Sequence, residues 1–331
     1  MQGEYGGAMR SIVCTAYGTE DNFVIEEVPT PEPGPGQVRV AVAAAGASFV
    51  DALQAAGKSQ FAAQPPYVPG GEAAGVVEAI GDGVEGLQIG DRVFASVGRG
   101  AFASHLIAWP QQLVVLPPEI DLPIGASFLQ VYGTAWFAFK KRTIVRPGEF
   151  VLVTGAGGGV GLAAIDVARS LGARVIAVAS SEEKRALATA MGAESTIDPL
   201  TEDLKVRARE LTGGAGVDVV YDVAGGPVSE PALRALRFDG RFLVVGFPGG
   251  IAKVPLNLVL LNNRTVIGVE WGGWVPRHLE ENQTMIGEII TAIAAGELHP
   301  VTPSQRPLDD ARAVLSELLD RQAAGKIVLV P

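Results

Sequence analysis

Residues 149–168 read EFVLVTGAGGGVGLAAIDVA, and this stretch decides the fold. An apolar run over residues 150–154 leads into five glycines within residues 155–161, and a helix-forming pattern follows. This order predicts a buried strand, a tight turn and a helix whose first backbone N–H groups can face a pyrophosphate. An ordinary strand-to-helix turn without a ligand is the alternative, and the flanking residues must decide between the two.

The glycine spacing is close to the dinucleotide-binding pattern Gly-x-Gly-x-x-Gly. The pattern fails when it is counted from Gly155, because Val160 occupies its last position. Counted from Ala156, it holds through Gly158 and Gly161, with Ala in place of the first Gly. The turn residues that we predict to bind the cofactor are Ala156, Gly158, Gly159 and Val160.

The next strand ends in hydroxyl side chains rather than in a carboxylate. Residues 174–179 (RVIAVA) predict the second strand of a βαβ unit, followed by Ser180, Ser181 and, one helical turn on, Lys184. An NAD-specific site would place Asp or Glu at this strand end, whereas small donors and a cation suit a 2′-phosphate. Helix capping by the serines is the alternative. We therefore predict NADPH as the cofactor, with the glutamates at 182–183 facing solvent.

Composition and charge exclude several classes of protein. Of the 331 residues, 48% are hydrophobic and 19% are charged, as expected of a globular protein. The net charge of −10 and the sequence pI near 4.9 argue against a nucleic-acid partner. The sequence contains neither an apolar run of membrane-spanning length nor the features of a signal peptide. We expect a cytoplasmic protein that binds neither nucleic acid nor membranes.

The single cysteine, Cys14, excludes a disulfide framework and a multi-cysteine metal site. It lies in an apolar run, which favours a buried and inert thiol. Residues 1–8 are expected to be an extension, disordered or artificial, ahead of a natural start near Met9.

The secondary-structure pattern changes near residue 125. Before that point short strands and Pro/Gly turns predict an antiparallel, barrel-like unit, and after it alternating helices and strands predict a doubly wound parallel sheet. The strands expected in the first region cover residues 11–17, 37–45, 74–81, 91–96 and 103–107. The later elements are strands at 150–154, 174–179, 195–197, 217–222, 240–245, 266–269 and 326–330, and amphipathic helices at 278–295 and 309–323. We predict a catalytic domain (1–127 and 265–331) interrupted by a Rossmann domain that binds NADPH (128–264).

Further motifs stand in order along the chain. They are PGQV (35–38), residues 46–51, VPGGEAAG (68–75), GDRV (90–93), the glycine turn and GKIV (325–328). With them the chain, from Met9 to Pro331, resembles the medium-chain dehydrogenase/reductase superfamily and, within it, the zinc-independent, zeta-crystallin-like quinone oxidoreductases. The resemblance implies an α/β fold: a doubly wound, parallel-sheet Rossmann domain and a GroES-like, mainly antiparallel β-barrel catalytic domain. It also implies a homodimer, with an edge strand within residues 266–271 as the candidate contact.

The chain departs from the zinc-dependent relatives at their ligand positions. Their first cysteine ligand falls near residues 46–48 here, their histidine ligand falls on Gly71, and their four-cysteine lobe after residue 93 is missing. The histidines of this chain are scattered in the sequence at His105, His278 and His299. Because zinc needs about four converging donors, no metal is expected.

The same resemblance suggests residues that contact the substrate or cofactor. Ser48 stands where quinone oxidoreductases commonly carry Asn, and Asp51 matches an acid of the family, so both are pocket candidates. A structural turn explains Asp51 equally well, and we assign no catalytic residue. Thr134 corresponds to a Thr beside the nicotinamide amide, and Gly246 with Phe247 corresponds to a loop that closes over the ring.

Three more residues extend this site. Arg321 aligns with an arginine that some relatives use near the 2′-phosphate, although a solvated helix-end cation explains it equally well. Trp271 and Trp274, together with Phe247, are candidate walls of the substrate pocket, and packing is their alternative role.

These observations predict a metal-free, NADPH-dependent reductase of quinones or α,β-unsaturated carbonyl compounds. Hydride transfer is carried by the cofactor, and a quinone can take its protons from water, so the reaction does not require a side-chain acid. An enoyl-thioester (enoyl-CoA or enoyl-ACP) reductase is one alternative, although no Tyr stands at the donor position near residues 58–59. A non-catalytic NADPH-binding or redox-sensing protein is an alternative of another class.

Overall fold

The computed structural model describes residues 7–18, 22–59 and 63–331. Most of the predicted N-terminal extension, residues 1–6, lies outside the described residues, and Ala8 is the first residue of a strand. Among the described residues no helix is both long enough and apolar enough to cross a membrane.

The chain divides into two compact units. The first is formed by residues 1–127 together with 302–331, and the second by residues 128–301. The sequence-based division assigned residues 265–301 to the first unit instead. The structure groups them with the second, where residues 265–268 extend the parallel sheet by one strand.

The first unit is built on a mainly antiparallel sheet, in which only β14 and β15 pair in parallel among the described residues. Its strands, numbered along the whole chain, are β1 (Ala8–Cys14), β2 (Phe23–Pro29), β3 (Val38–Ala47), β4 (Glu72–Ile80), β5 (Arg92–Ser96), β6 (His105–Ala108), β7 (Leu113–Val115), β14 (Ser304–Pro307) and β15 (Ile327–Val330). Helices α1 (Phe49–Ala55) and α10 (Ala311–Leu319) pack on each other, and the unit boundary falls within α2 (Leu122–Trp136). Strands β1 and β2 form a separate hairpin, while the others follow the order β14-β15-β3-β4-β5-β7, with β6 also paired to β3.

The predicted barrel is an open sheet among the described residues, with β14 and β7 at its two ends. The long strand β3 pairs with β4 along one edge, and on its other edge it pairs first with β6 and then with β15. Register shifts between Arg39 and Val40 and between Val42 and Ala44 mark bulges in its pairing with β4. Bulges of this kind bend the strand that carries them.

The second unit contains a six-stranded parallel sheet. Its strands are β8 (Phe150–Thr154), β9 (Arg174–Val178), β10 (Ser195–Ile197), β11 (Val217–Asp222), β12 (Leu236–Val244) and β13 (Thr265–Gly268). Its helices are α3 (Gly159–Ser170), α4 (Glu182–Ala190), α5 (Leu204–Leu211), α6 (Ser229–Ala235), α7 (Asn257–Leu260), α8 (Trp271–Trp274) and α9 (Leu279–Ala294). Strand β11 is buried along its whole length, which is typical of parallel strands covered on both faces.

The strand order β10-β9-β8-β11-β12-β13 creates a topological switch point. From β8 the chain moves outward through β9 to β10, and it then returns to place β11 on the other side of β8. In such sheets ligands bind in the crevice beyond the carboxyl ends of the two strands at the switch. The glycine turn after β8 therefore lies at the position that the fold reserves for a ligand.

Candidate functional site

The glycine turn is built on positions where a side chain is strained or would not fit. Gly155 has a φ of +63°, which favours glycine. A Cβ on Gly161 would lie 2.4 Å from the carbonyl oxygen of Gly155, so the first turn of α3 rests directly on the loop. The N-cap of helix α3 is Gly158, whose backbone is extended and which offers no side-chain cap. The first N–H groups of α3 therefore lack a capping side chain, as expected of a phosphate-binding helix.

The structure brings the lysine of the predicted 2′-phosphate site onto this turn. A Cβ on Gly157 would lie 2.3 Å from Cβ of Lys184 and 2.5 Å from its Cγ, so the lysine stem lies directly on the glycine. Lys184 belongs to α4, which follows the next strand of the sheet. This contact brings together the glycine turn and Lys184, which the sequence alone could not show to be neighbours.

Ser181 has one of the two roles that the sequence left open, the helix cap. It is the N-cap of α4, and its Oγ accepts the N–H of Lys184 at 3.3 Å. A hydroxyl that accepts in this way still has its own proton to donate, so capping does not exclude a phosphate contact. Ser180 is exposed beside it, and the glutamates at 182–183 are exposed as predicted.

Asp222 connects the ends of the two strands at the switch point. The sequence analysis did not identify this role. This buried carboxylate, at the end of β11, accepts the hydroxyl of Thr154, at the end of β8, through Oδ1 at 2.5 Å. The same oxygen accepts the N–H of Gly225 at 3.1 Å, and Oδ2 accepts the hydroxyl of Ser229 at 2.5 Å. An acid that ends a continuous buried strand just before two glycines is the signal that could have identified it.

The predicted ring-closing loop starts from the same strand ends. Gly246 donates to the carbonyl of Asp222 at 3.3 Å, and Gly249 donates to the carbonyl of Ala224 at 2.7 Å. These bonds hold the loop after β12 against the loop after β11. Phe247 is 49% exposed, so its ring is available to a ligand.

Thr134 and Trp271 lie close together within the second unit. A Cβ on Gly133, the neighbour of Thr134, would lie 2.4 Å from the Trp271 ring, so the ring packs flush against this part of α2. The indole N–H of Trp271 donates to Oδ1 of Asn282 at 3.0 Å, which fixes the orientation of the ring. Thr134 donates to the carbonyl of Gln130 at 2.7 Å, within its own helix.

Trp274 is engaged in packing contacts. It stacks on His278 with ring centroids 4.5 Å apart and contacts Phe137 at 5.0 Å. These contacts are those of the packing role, which was the alternative for Trp274.

In the first unit, Ser48 and Asp51 form a capping box at the start of α1. Asp51 Oδ2 accepts the Ser48 N–H at 2.9 Å and the Ser48 hydroxyl at 2.6 Å. Asp51 is buried, and this desolvation, together with the nearby Glu72 carboxylate, raises its pKa to about 6 despite the Ser48 hydrogen bonds. Asp51 therefore has a structural role at this turn, and its carboxyl group also has a raised pKa.

A buried ion pair lies beside Asp51. The ammonium of Lys326 is 2.9 Å from Oε1 of Glu72, and both side chains are less than 10% exposed. Oε2 of Glu72 is buried with no hydrogen-bond partner among the described residues. A Cβ on Gly46 would lie 2.7 Å from Oε1 of Glu72, so glycine is needed there for the pair to fit.

This arrangement does not resemble a zinc site. Within residues 7–18, 22–59 and 63–331, no three or more His, Cys, Asp or Glu side chains are grouped to hold a metal ion. Near Gly46 and Gly71 the atoms that could ligate a metal are oxygens, and one of them already pairs with the Lys326 ammonium. Cys14 is buried, as predicted.

Arg321 lies in the first unit, just beyond α10, with a φ of +58° and an exposed side chain. Its contact with the 2′-phosphate stays a prediction.

Comparison with known proteins gives a consistent result. Residues 34–118 match the family profile described as alcohol dehydrogenase GroES-like domain, and residues 159–289 match the profile described as zinc-binding dehydrogenase. Quinone oxidoreductase-like protein 2 of Bos taurus is 38% identical over 308 residues, covering 92% of this chain and 88% of that protein. A 2-haloacrylate reductase from a Burkholderia species is 36% identical over 327 residues, covering 95% and 96%.

Among solved structures, Escherichia coli quinone oxidoreductase complexed with NADPH superposes with a TM-score of 0.89 at 29% sequence identity. The superposition covers 97% of this chain and all of that one.

Proposed function

This chain belongs to the zinc-independent quinone oxidoreductase branch of the medium-chain dehydrogenase/reductase superfamily, and we propose that it reduces a quinone or an α,β-unsaturated carbonyl compound with NADPH. The observation that carries the proposal is the contact of the Lys184 stem with Gly157, because it joins the lysine of the proposed 2′-phosphate site to a glycine turn shaped for phosphate. The relative from Escherichia coli supports the choice of cofactor, since its structure was solved with NADPH.

The residues of the second unit fit this cofactor. The N–H groups at the start of α3 would hold the pyrophosphate, and Gly157 and Gly161 let Lys184 and the Gly155 carbonyl pack closely on the turn. Ser180, Ser181 and Lys184 would hold the 2′-phosphate. Thr134, Gly246 and Phe247 are proposed to bind the nicotinamide end, with Trp271 fixed beside Thr134 as a wall.

When bound, NADPH supplies the hydride. The task of the chain's own residues is then to position the acceptor, to exclude water and to manage a proton. We assign the last task to Ser48 and Asp51. When Asp51 is protonated it can donate to Ser48 Oγ, and the Ser48 hydroxyl is then free to donate to an acceptor oxygen. The raised pKa of Asp51, about 6, makes the protonated state accessible near neutral pH.

Two acceptor classes have support from relatives. The Bos taurus and Escherichia coli proteins carry quinone in their names, and the Burkholderia enzyme is named for 2-haloacrylate, an α,β-unsaturated acid. Both acceptor classes take a hydride at a position conjugated to a carbonyl group. An enoyl thioester shares that chemistry and is the second candidate.

The test is stopped-flow measurement of NADPH oxidation with 9,10-phenanthrenequinone, 2-chloroacrylate and a crotonyl thioester. We expect the quinone or 2-chloroacrylate to accelerate oxidation and to give the highest kcat/KM. A higher kcat/KM for the thioester would favour the enoyl-thioester reductase. NADPH binding without acceleration by any of the three would favour a non-catalytic, redox-sensing role.

We also propose that the protein is a cytoplasmic homodimer. Strand β13 lies at the end of the parallel sheet, and Val266 on it is 44% exposed. An apolar edge strand of this kind pairs readily with a second copy in a twofold arrangement.

A further inference from the structure

Arg185 joins the carboxyl ends of two neighbouring strands of the parallel sheet. Its Nη1 donates to the carbonyl of Ala179, which directly follows β9, at 2.9 Å. The same nitrogen lies 3.1 Å from Oδ2 of Asp198, which directly follows β10. Asp198 is itself held in place, because its Oδ1 accepts the N–H of Leu200 at 3.0 Å. The Arg185 guanidinium therefore has a defined position at this edge of the sheet.

This edge is where the proposed NADPH site needs positive charge. Ala179 directly precedes Ser180 and Ser181, and Lys184 lies on the glycine turn. In this fold the pyrophosphate lies at the first turn, and the ribose hydroxyls lie at the end of the second strand. Lys184 and Arg185 are consecutive residues that carry two positive charges to that region.

The positive charge of Arg185 also offsets the negative charge of the Asp198 carboxylate. Its side chain is 17% exposed, and without a counter-ion it would repel a phosphate bound nearby. Arg185 neutralises it. Both Arg185 contacts use Nη1, which leaves Nε and Nη2 without partners among the described residues. Those two N–H groups form the edge with which guanidinium makes paired hydrogen bonds to a phosphate.

We propose that Arg185 is a specificity-determining residue that binds the 2′-phosphate of NADPH beside Lys184, with Asp198 holding its guanidinium in position. The inference rests on the cofactor site proposed above and adds to it a residue outside the glycine turn and the serine pair.

The test is the dissociation constant of the full-length protein for NADPH and for NADH, measured by titration of protein fluorescence. Arg185→Gln should weaken NADPH binding by about 10- to 100-fold, the range expected for loss of a charge-assisted hydrogen bond, and should leave NADH binding within about twofold. Arg185→Lys, which keeps the charge but not the paired geometry, should fall between Arg185→Gln and the unsubstituted protein. Arg174→Gln is the matched control, because Arg174 pairs with Glu194 at the opposite end of β9.

The outcomes separate this inference from the proposed function. If the unsubstituted protein binds NADPH and NADH equally well, the proposed cofactor is wrong and the role of Arg185 is wrong with it. If it prefers NADPH and Arg185→Gln retains that preference, only the role of Arg185 is overturned. Equal weakening of both cofactors by Arg185→Gln would show a purely structural role and would also overturn the inference.

Discussion

At the scale of single residues, Gly157 shows how a missing side chain makes room for a neighbouring residue. Its φ is not in the left-handed region, so glycine is not required there for backbone conformation. It is required for space, because Lys184 occupies the volume that a Cβ would fill. The glycine thus lets the lysine lie against the turn.

Gly157→Ala should therefore weaken NADPH binding by about tenfold or more, since displacing Lys184 loses about 1.4 kcal/mol or more of a charge-assisted contact. The kcat at saturating NADPH should change little. Gly287→Ala is the control, because Gly287 is helical and a Cβ there meets no atom within 4 Å. Unchanged NADPH binding in Gly157→Ala would show that the lysine does not bind the cofactor.

Asp51 allows a second residue-scale prediction, on stability. Its pKa is raised from 3.8 to about 6 on folding, so the folded state binds the proton more tightly than the unfolded state. The resulting stabilisation is fully present below a pH of about 3.8 and is lost as the pH rises through about 6. A shift of this size corresponds to about 3 kcal/mol.

Asp51→Asn lacks this titration. The free energy of unfolding of the unsubstituted protein, minus that of Asp51→Asn, should be larger at about pH 4 than at about pH 8, by up to about 3 kcal/mol. Urea denaturation at the two pH values measures the difference. A difference that does not change with pH would contradict the raised pKa.

At the scale of elements, Ser181 caps helix α4 and is also a proposed cofactor contact, and two substitutions at Ser181 separate these roles. Ser181→Ala should lower the free energy of unfolding by about 1 kcal/mol, because the N–H of Lys184 loses its acceptor. Ser181→Asp restores the cap but places a carboxylate at the 2′-phosphate, so it should keep stability and weaken NADPH relative to NADH by about tenfold or more.

Thermal unfolding and cofactor titration of the two Ser181 variants provide the measurements. If Ser181→Asp kept the NADPH preference, the hydroxyl would be a cap and nothing more.

The accuracy of the sequence-based prediction also differs between elements, for physical reasons. Strands β8, β10 and β11 were predicted with their observed bounds, because a continuous apolar run or a short segment between turn signals defines each of them. Strand β2 (FVIEEVP) was not predicted, because it is largely exposed and lacks a buried alternating face. Strand β12 begins four residues before its prediction, at Leu236 rather than at Gly240.

The sequence named the glycine turn and the serine–lysine pair, because these are local patterns. It did not give the contacts of Asp222 or Arg185, because their partners come from separate strand ends. Asp222 and Thr154 are 68 residues apart, and Lys326 and Glu72 are 254 apart. Only the folded topology brings such pairs into contact.

At the scale of the whole molecule, the exposed edge strand leads to a prediction on assembly. Val266→Lys places a charge on β13, which disfavours edge-to-edge pairing. If the protein is a dimer of 34.3 kDa chains, this variant should elute as a monomer in size-exclusion chromatography with light scattering. Val206→Lys is the control, since Val206 is similarly exposed, at 49%, on α5. A Val266→Lys variant that stays dimeric would place the interface elsewhere.

The ion pair between Lys326 and Glu72 has a consequence for how the chain is made. Strand β15 lies between β14 and β3, so the sheet of the first unit lacks an interior strand until residues 327–330 have left the ribosome. Until then the buried Glu72 carboxylate also lacks its counter-ion. At about 5–20 residues per second, translation takes roughly 10 to 40 seconds from residue 128 to residue 330. All residues of the second unit are therefore synthesised before β15, while the unit that was begun first receives its last strand afterwards.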